Sequence, residues 1–249
     1  MRLVILTIFA CLAFLVPAFG AQGDVAPEGL TYLTEDYYPY NYQRNGVLQG
    51  ISVDILRRVW AELGVEDQPI HLLPWARGYK FVQEVPGTVL FSMARTPERE
   101  EMFQWVGPIT TARFVLSAKK GRAITIRSLE DICGYSVGTL IDDITDILLE
   151  DAKTCARVES VPDTQFLVKM LEHDRIDLLA YEEKSLQRLM WAHGYAPEDV
   201  ETVYVLKETS VYFAFHPDTP PTLVERFQQA MDRVRLSPEY EQIFERHLQ

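Results

Sequence analysis

Residues 135–192 read YSVGTLIDDITDILLEDAKTCARVESVPDTQFLVKMLEHDRIDLLAYEEKSLQRLMWA. A β-branched, apolar run at Ser136 to Leu140 precedes a helical pattern at Asp143 to Lys153. Two more such pairs follow: Arg157 to Val161 then Asp163 to His173, and Asp177 to Tyr181 then Lys184 to Ala192. Strands that alternate with helices of this length are joined by crossovers, which predicts a parallel sheet covered by helices. The fold class expected is therefore α/β.

The same logic extends outward. Toward the N-terminus, Leu30 to Leu33 reads as a short strand, and Asn45-Gly46 is a hairpin-type turn signal. Ile51, Ile55, Val59 and Leu63 recur every four residues, flanked by Leu56 and Trp60 and stopped by Gly64. That pattern predicts an amphipathic helix with a C-terminal glycine. Ile70 to Leu73, Thr88 to Met93 and Phe114 to Ala118 read as strands, and Trp75 to Val85 as a helix. Beyond the quoted stretch, Val203 to Leu206 and Val211 to Phe215 read as strands, with two helices after Pro220-Pro221. No Pro/Gly-rich linker interrupts the chain, so a second domain would be joined by strands rather than a tether.

The 249 residues carry 24 Lys+Arg against 36 Asp+Glu, a net charge of −12, with 47% apolar residues. Such composition excludes wholesale disorder, and the acidic balance argues against nucleic acid or an anionic membrane surface as the main partner. Residues 1–20 read MRLVILTIFACLAFLVPAFG. One charge, an apolar run from Leu3 to Val16, the helix breaker Pro17 and small residues at Ala18 and Gly20 predict a secretory signal peptide cleaved near Gly20. The alternatives are an uncleaved anchor, or a lipoprotein modified at Cys11. The expected location is periplasmic. Export leaves Cys133 and Cys155, each just ahead of an expected strand. In an oxidising compartment a disulfide between them is expected, with two free buried thiols as the alternative. His71, His173, His193, His216 and His247 show no metal-ligand spacing, and there is no Gly-x-Ser-x-Gly elbow or phosphate-binding glycine loop. No metal and no cofactor are expected.

Four stretches, in order, resemble one family. These are Tyr37-Tyr-Pro-Tyr-Asn-Tyr with Asn45-Gly-Val-Leu-Gln-Gly-Ile-Ser-Val-Asp54, then Leu90-Phe-Ser-Met-Ala-Arg-Thr-Pro-Glu-Arg99. Arg175-Ile-Asp-Leu-Leu-Ala-Tyr-Glu182 and the closing Pro238-Glu-Tyr-Glu-Gln-Ile-Phe-Glu-Arg-His follow. Together they resemble extracellular solute-binding proteins of family 3, the type that serves polar amino-acid ABC transporters. The resemblance implies a two-lobed type 2 periplasmic-binding-protein fold. Each lobe would be a mixed, mostly parallel sheet flanked by helices, with two strands as the hinge. Residues 21–111 plus 208–249 would form the first lobe and 112–207 the second. It also implies a monomer that takes a small-molecule ligand and meets a membrane ABC permease or a sensor protein.

The cleft chemistry can be read residue by residue. Thr96 and Pro97 suit a helical start, which would set Arg99 just past a buried strand to grip a carboxylate through two parallel hydrogen bonds. The family's matching arginine holds the ligand's α-carboxylate. The plainer reading pairs Arg99 with Glu98 or Glu101. Ser92 matches a ligand-binding position on the same strand, whereas Ala94 stands where the family has Ser or Thr. Asp142 and Asp143 replace a Gly-Thr-Thr-like turn; an acid there stabilises a helix start by itself. Glu182 replaces the aspartate that meets a ligand ammonium. Tyr37 and Trp75 offer rings for a cation, Tyr40 reads as core, and Arg77 as either an anion anchor or a surface charge. The expected ligand set is therefore Tyr37, Trp75, Arg77, Ser92, Arg99, Asp142, Asp143 and Glu182, and the expected ligand is a small polar solute, amino-acid-like or bearing a cationic end. The function expected is solute capture for a transporter rather than catalysis. The alternatives are delivery to a sensor or chemoreceptor, and a cyclohexadienyl-dehydratase-like enzyme with Glu182 as proton donor.

Overall fold

The computed structural model describes residues 26–248; the apolar segment 1–20, its cleavage point and Cys11 lie outside them. A 3-10 turn at Pro27–Gly29 leads into strand β1 (Thr31–Thr34) and the hairpin of β2 (Tyr42–Arg44) and β3 (Val47–Gln49). Asn45 and Gly46 join that hairpin at φ of 54° and 77°, the left-handed pair of a type I′ turn. Helix α1 (Ile51–Leu63) buries Ile51, Ile55, Leu56, Val59 and Trp60. It stops at Gly64, whose φ of 71° lets its N–H reach back to the Trp60 and Ala61 carbonyls, a left-handed cap that glycine adopts without a Cβ clash. Next come β4 (Ile70–Leu72), α2 (Trp75–Glu84), β5 (Thr88–Ala94) and a 3-10 helix at Pro97–Met102.

The remaining elements are β6 (Gln104–Lys119), β7 (Ser136–Leu140), α3 (Ile144–Asp151), β8 (Arg157–Val161), α4 (Thr164–Glu172), β9 (Leu178–Glu182), α5 (Glu183–Ala192), β10 (Val200–Phe215), α6 (Pro221–Arg235) and α7 (Pro238–Leu248). Eight strands form one sheet in the order β4-β1-β5-β10-β6-β9-β7-β8. At one end β1 runs parallel to β4 and β5; at the other β7 runs parallel to β8 and β9. Between them β6 and β10 pair antiparallel along their lengths. The C-terminal part of β10 adds to β5 and the C-terminal part of β6 adds to β9. The two parallel groups are thus joined by strands, as the missing linker implied.

Two expectations need correcting. The strand expected at Phe114 to Ala118 is the end of a 16-residue strand, and those at Val203 to Leu206 and Val211 to Phe215 are one 16-residue strand. The ladder shifts register between Thr202 and Tyr204, Val205 and Lys207, and Val211 and Phe213. Each shift breaks the two-residue period, and the polar run Lys207 to Ser210 then reads as a loop although it is paired. On the other strand, Gly107-Pro108 hides the first part in the same way.

In the second parallel group each helix starts on an acid. Asp143 accepts from the Thr145 N–H at 2.9 Å, Asp163 from Gln165 at 2.7 Å, and Glu182 from Ser185 at 2.7 Å. Each satisfies a first-turn donor and opposes the positive end of the helix. Cys133 and Cys155 are bonded, with Cα atoms 4.8 Å apart, inside the span a disulfide bridges. They can meet because Ser136 stands opposite Arg157, which brings the chain ahead of both strands to one sheet end. Helices α6 and α7 pack on α1, where Trp60, Phe227 and Met231 are buried. Among the described residues no helix is long and apolar enough to cross a membrane.

Candidate functional site

In sheets of parallel strands, ligands settle beyond the strands' C-terminal ends. Here both parallel groups bring those ends to one cleft of about 470 Å³. Glu35 and Asp36 follow β1, Pro74 and Trp75 follow β4, Leu140 ends β7, and Pro162 and Asp163 follow β8. Tyr181 comes from the end of β9, and α5 adds Ser185 and Arg188. The Tyr181 hydroxyl and the Trp75 indole N–H are buried and have no hydrogen-bond partner among the described residues.

A buried layer adjoins this cleft. Arg99 is only 1% exposed. Its Nη1 donates to the Ala94 carbonyl at 3.2 Å and its Nη2 to the Asp142 carbonyl at 2.6 Å. The guanidinium carbon lies 5.3 Å from the Trp75 ring centre and 5.0 Å from that of Tyr79, within cation–π range. The turn carrying it opens at Thr96 without a side-chain cap and is 3-10 rather than α. Asp142 has φ of 60°, a left-handed conformation that Asp tolerates. Its side chain is exposed, so it takes part through its carbonyl. Asp143 is buried, and its carboxylate accepts from both the backbone and the hydroxyl of Thr145. Buried Glu182 accepts from the Ser185 N–H and, at 3.1 Å, from the Tyr40 hydroxyl. The Ser185 hydroxyl donates to the Tyr38 carbonyl. Arg99 to Asp142, Tyr40 to Glu182 and Ser185 to Tyr38 therefore stitch the first group to the second.

Tyr37 packs 5.0 Å from Tyr40 and 5.9 Å from Tyr181 between ring centres. Ser92 is the residue that the β5–β10 ladder skips, with φ of 66°. The bulge turns its hydroxyl into the interior, where it donates to the Asn41 side-chain carbonyl and shares a 2.7 Å hydrogen bond with the Ser52 hydroxyl. Asn41 in turn donates to the Glu35 carbonyl at 2.6 Å, fixing the loop that carries the Glu35 carboxyl.

Burial raises the pKa of Glu35, and the neighbouring Asp143 and Asp36 push it further while Arg99 opposes them. Burial likewise raises Asp143, against the Thr145 hydrogen bonds and Arg99. Glu182 is raised by burial against its Ser185 and Tyr40 hydrogen bonds, and Asp36 by burial against Arg188. Two buried carboxyl groups, Glu35 and Asp143, thus face the buried Arg99 guanidinium, an arrangement that an added cation would relieve.

Of the residues expected from sequence, Trp75 lines the cleft. Tyr37, Ser92, Arg99, Asp143 and Glu182 are gathered in the adjoining buried layer, and Asp142 contributes backbone only. Tyr40 is core, as expected, with its hydroxyl on Glu182. Arg77 is exposed and does not line the cleft. The sequence reading did not single out Glu35, Asp36, Tyr181 or Arg188. An acidic pair directly after the first parallel strand was the available signal for the first two.

A family model described as bacterial extracellular solute-binding proteins, family 3, matches residues 30–249. Among curated protein sequences no relative matches. Solved structures are similar in fold. A mutant of ArgBP from T. maritima superposes with a TM-score of 0.76 at 18% identity, over 90% of this chain and 97% of that one. The amino acid ABC transporter substrate-binding protein AbpA from Streptococcus pneumoniae, bound to L-arginine, gives 0.74 at 20% identity, over 88% and 94%. A periplasmic binding protein of Salmonella typhimurium described for high arginine specificity gives 0.72 at 17%, over 87% and 98%.

Proposed function

The chain belongs to the bacterial extracellular solute-binding proteins, family 3, and from that membership we propose that it captures a small solute with a cationic end and presents it to a membrane ABC permease. The fold is the two-lobed type 2 periplasmic-binding-protein fold, and the protein is a solute-binding protein. The observation that carries the cationic reading is the cleft itself. Glu35 and Asp36 line it beside the Tyr181 and Trp75 rings, and neither carboxylate has an ion-pair partner among the described residues. Carboxylate plus aromatic face is the chemistry that holds an ammonium or guanidinium. The arginine binders among the similar structures fit a cationic solute.

The lobes divide at 21–111 with 208–249, and at 112–207. That division is supported by pairing: β10 reaches β5 only from Val211 onward, and β6 meets β9 only from Phe114 onward. Export to the periplasm through a cleaved signal accords with the family's extracellular role, and the protein acts as a monomer. Glu182, which the dehydratase alternative needs as a proton donor, does not line the cleft and caps α5, which supports binding over catalysis.

A thermal-shift screen of the exported form tests this reading against basic amino acids, polyamines, betaines and small organic acids. Cation-bearing solutes should raise the melting temperature by mass action, by several degrees at a large excess over Kd. Stabilisation by organic acids alone would overturn it.

A further inference from the structure

We propose that His247, in the last turn of α7, positions the tyrosine wall of the cleft and thereby tunes how tightly the solute is held. This inference rests on the reading that the cleft is the solute site, and adds a residue that acts on it from behind. His247 is 5% exposed although it lies near the end of the chain. Its ring joins two other elements. Nε2 lies 2.8 Å from a carboxylate oxygen of Asp54 on α1, and Nδ1 lies 3.1 Å from the Tyr42 hydroxyl on β2. Its main-chain carbonyl accepts from the Tyr38 hydroxyl at 3.3 Å. Tyr38 and Tyr42 both line the cleft, and His247 does not. The two tyrosine ring centres are 4.9 Å apart, and the Arg188 guanidinium of α5 lies 5.6 Å from that of Tyr38. The Ser185 hydroxyl donates to the Tyr38 carbonyl, so the wall that His247 anchors is also one that the second parallel group touches.

The direction of each hydrogen bond follows from what the groups can donate. Burial raises the Asp54 carboxyl, but the His247 hydrogen bond and the charges of Arg57 and Arg246 outweigh it and hold the group low. An ionised carboxylate only accepts, so Nε2 carries a proton, and in the neutral ring Nδ1 is left to accept the Tyr42 O–H. Arg57 and Arg246 brace Asp54 at 3.2 and 3.0 Å, which fixes the imidazole from the far side. Docking of α7 alone calls only for apolar contact. Ile243 on the same helix is buried and supplies it, and the Tyr240 hydroxyl adds a 2.6 Å hydrogen bond to the Ile109 carbonyl. What the imidazole adds is a partner and a fixed direction for a hydroxyl on the cleft wall, since a buried hydroxyl without a partner is costly.

Isothermal titration and thermal unfolding of the exported form test this, with arginine, agmatine and putrescine as probes. His247→Ala should weaken each probe that wild type binds by about threefold to tenfold, the worth of one hydrogen bond. Tyr42→Phe should weaken it by a similar factor, and the double variant by about as much as either single one. Ile243→Ala, which loosens α7 by a cavity, should lower the melting temperature and leave affinity unchanged. Equal losses of affinity in Ile243→Ala and His247→Ala would reduce His247 to a docking contact and overturn the inference, as would additive losses in the double variant. Carbon-13 spectra of the unliganded protein with labelled tyrosine rings give a reading that needs no solute. The Tyr42 signal, assigned from Tyr42→Phe, should move in His247→Ala, and an unmoved signal would overturn the inference. Binding of no probe to wild type would overturn the cationic reading, and the Tyr42 signal would then decide this inference by itself.

Discussion

Glu35 ties the buried layer to the open cleft, and its environment sets a sign that can be measured. Burial raises Glu35, Asp143 and Glu182, so the folded protein holds their protons more tightly than the unfolded chain does. Such groups favour folding at low pH, and that contribution is lost as pH rises from the ordinary carboxylate range near about 4 through the raised values. Asp54 and Asp177 are held low and act in the opposite sense. The Glu35 part is therefore read as the difference between wild type and Glu35→Gln. The variant should gain stability relative to wild type as pH rises across that interval, in denaturant melts at stepped pH. Cation-induced stabilisation of wild type should grow over the same interval, because the ligand favours the ionised carboxylates. A difference that is flat or reversed would show that Glu35 is not held protonated. At this scale the sequence was only partly legible. Trp75 opens α2 just after β4 and lines the cleft, a place its position between a strand and a helix marks in the sequence. Arg99 is buried, and its partners were not legible: a carbonyl turned inward by Asp142 leaves no mark in residue types. Glu182, expected at the ligand, accepts from the first turn of α5 and from the Tyr40 hydroxyl, partners that residue types alone do not reveal.

Helices and turns were legible because their signals are local. Alternation of period two failed in the long strands, where bulges reset it, and the expected boundaries there were wrong for that reason. Gly50 shows how tightly a short element can be bound to the site. Its φ is 135°, and a Cβ on it would lie 2.3 Å from the Tyr40 carbonyl oxygen. That carbonyl accepts from the Ser52 N–H at 2.8 Å at the start of α1. Gly50→Ala should therefore cost about 1–3 kcal/mol of stability from strained backbone. Urea unfolding would measure it, and a loss below about 0.5 kcal/mol, the range of ordinary surface substitutions, would mean that the loop relaxes freely. Because Tyr40 also donates to Glu182, the strain should reach the seam between the lobes as well.

At the scale of the molecule, the alternation in residues 135–192 described one lobe well and said little about how the other is completed. The second parallel group, β7 to β9 with its helices, comes from one continuous stretch, and its disulfide spans 22 residues. The first group is completed from afar: β5 takes one neighbour from residues 211–215, and α1 is covered by α6 and α7. Contacts so distant along the chain require a long loop to close before they form. The second lobe should therefore gain amide protection first, with α1 and β1 protected only after the last helices dock. Pulse-labelled hydrogen exchange during refolding reads this order, and simultaneous protection of both lobes would contradict it. A chain that crosses a membrane must stay threadable until its end has passed. A sheet half whose last strand and covering helices are supplied by the final residues has its completion delayed by its own topology.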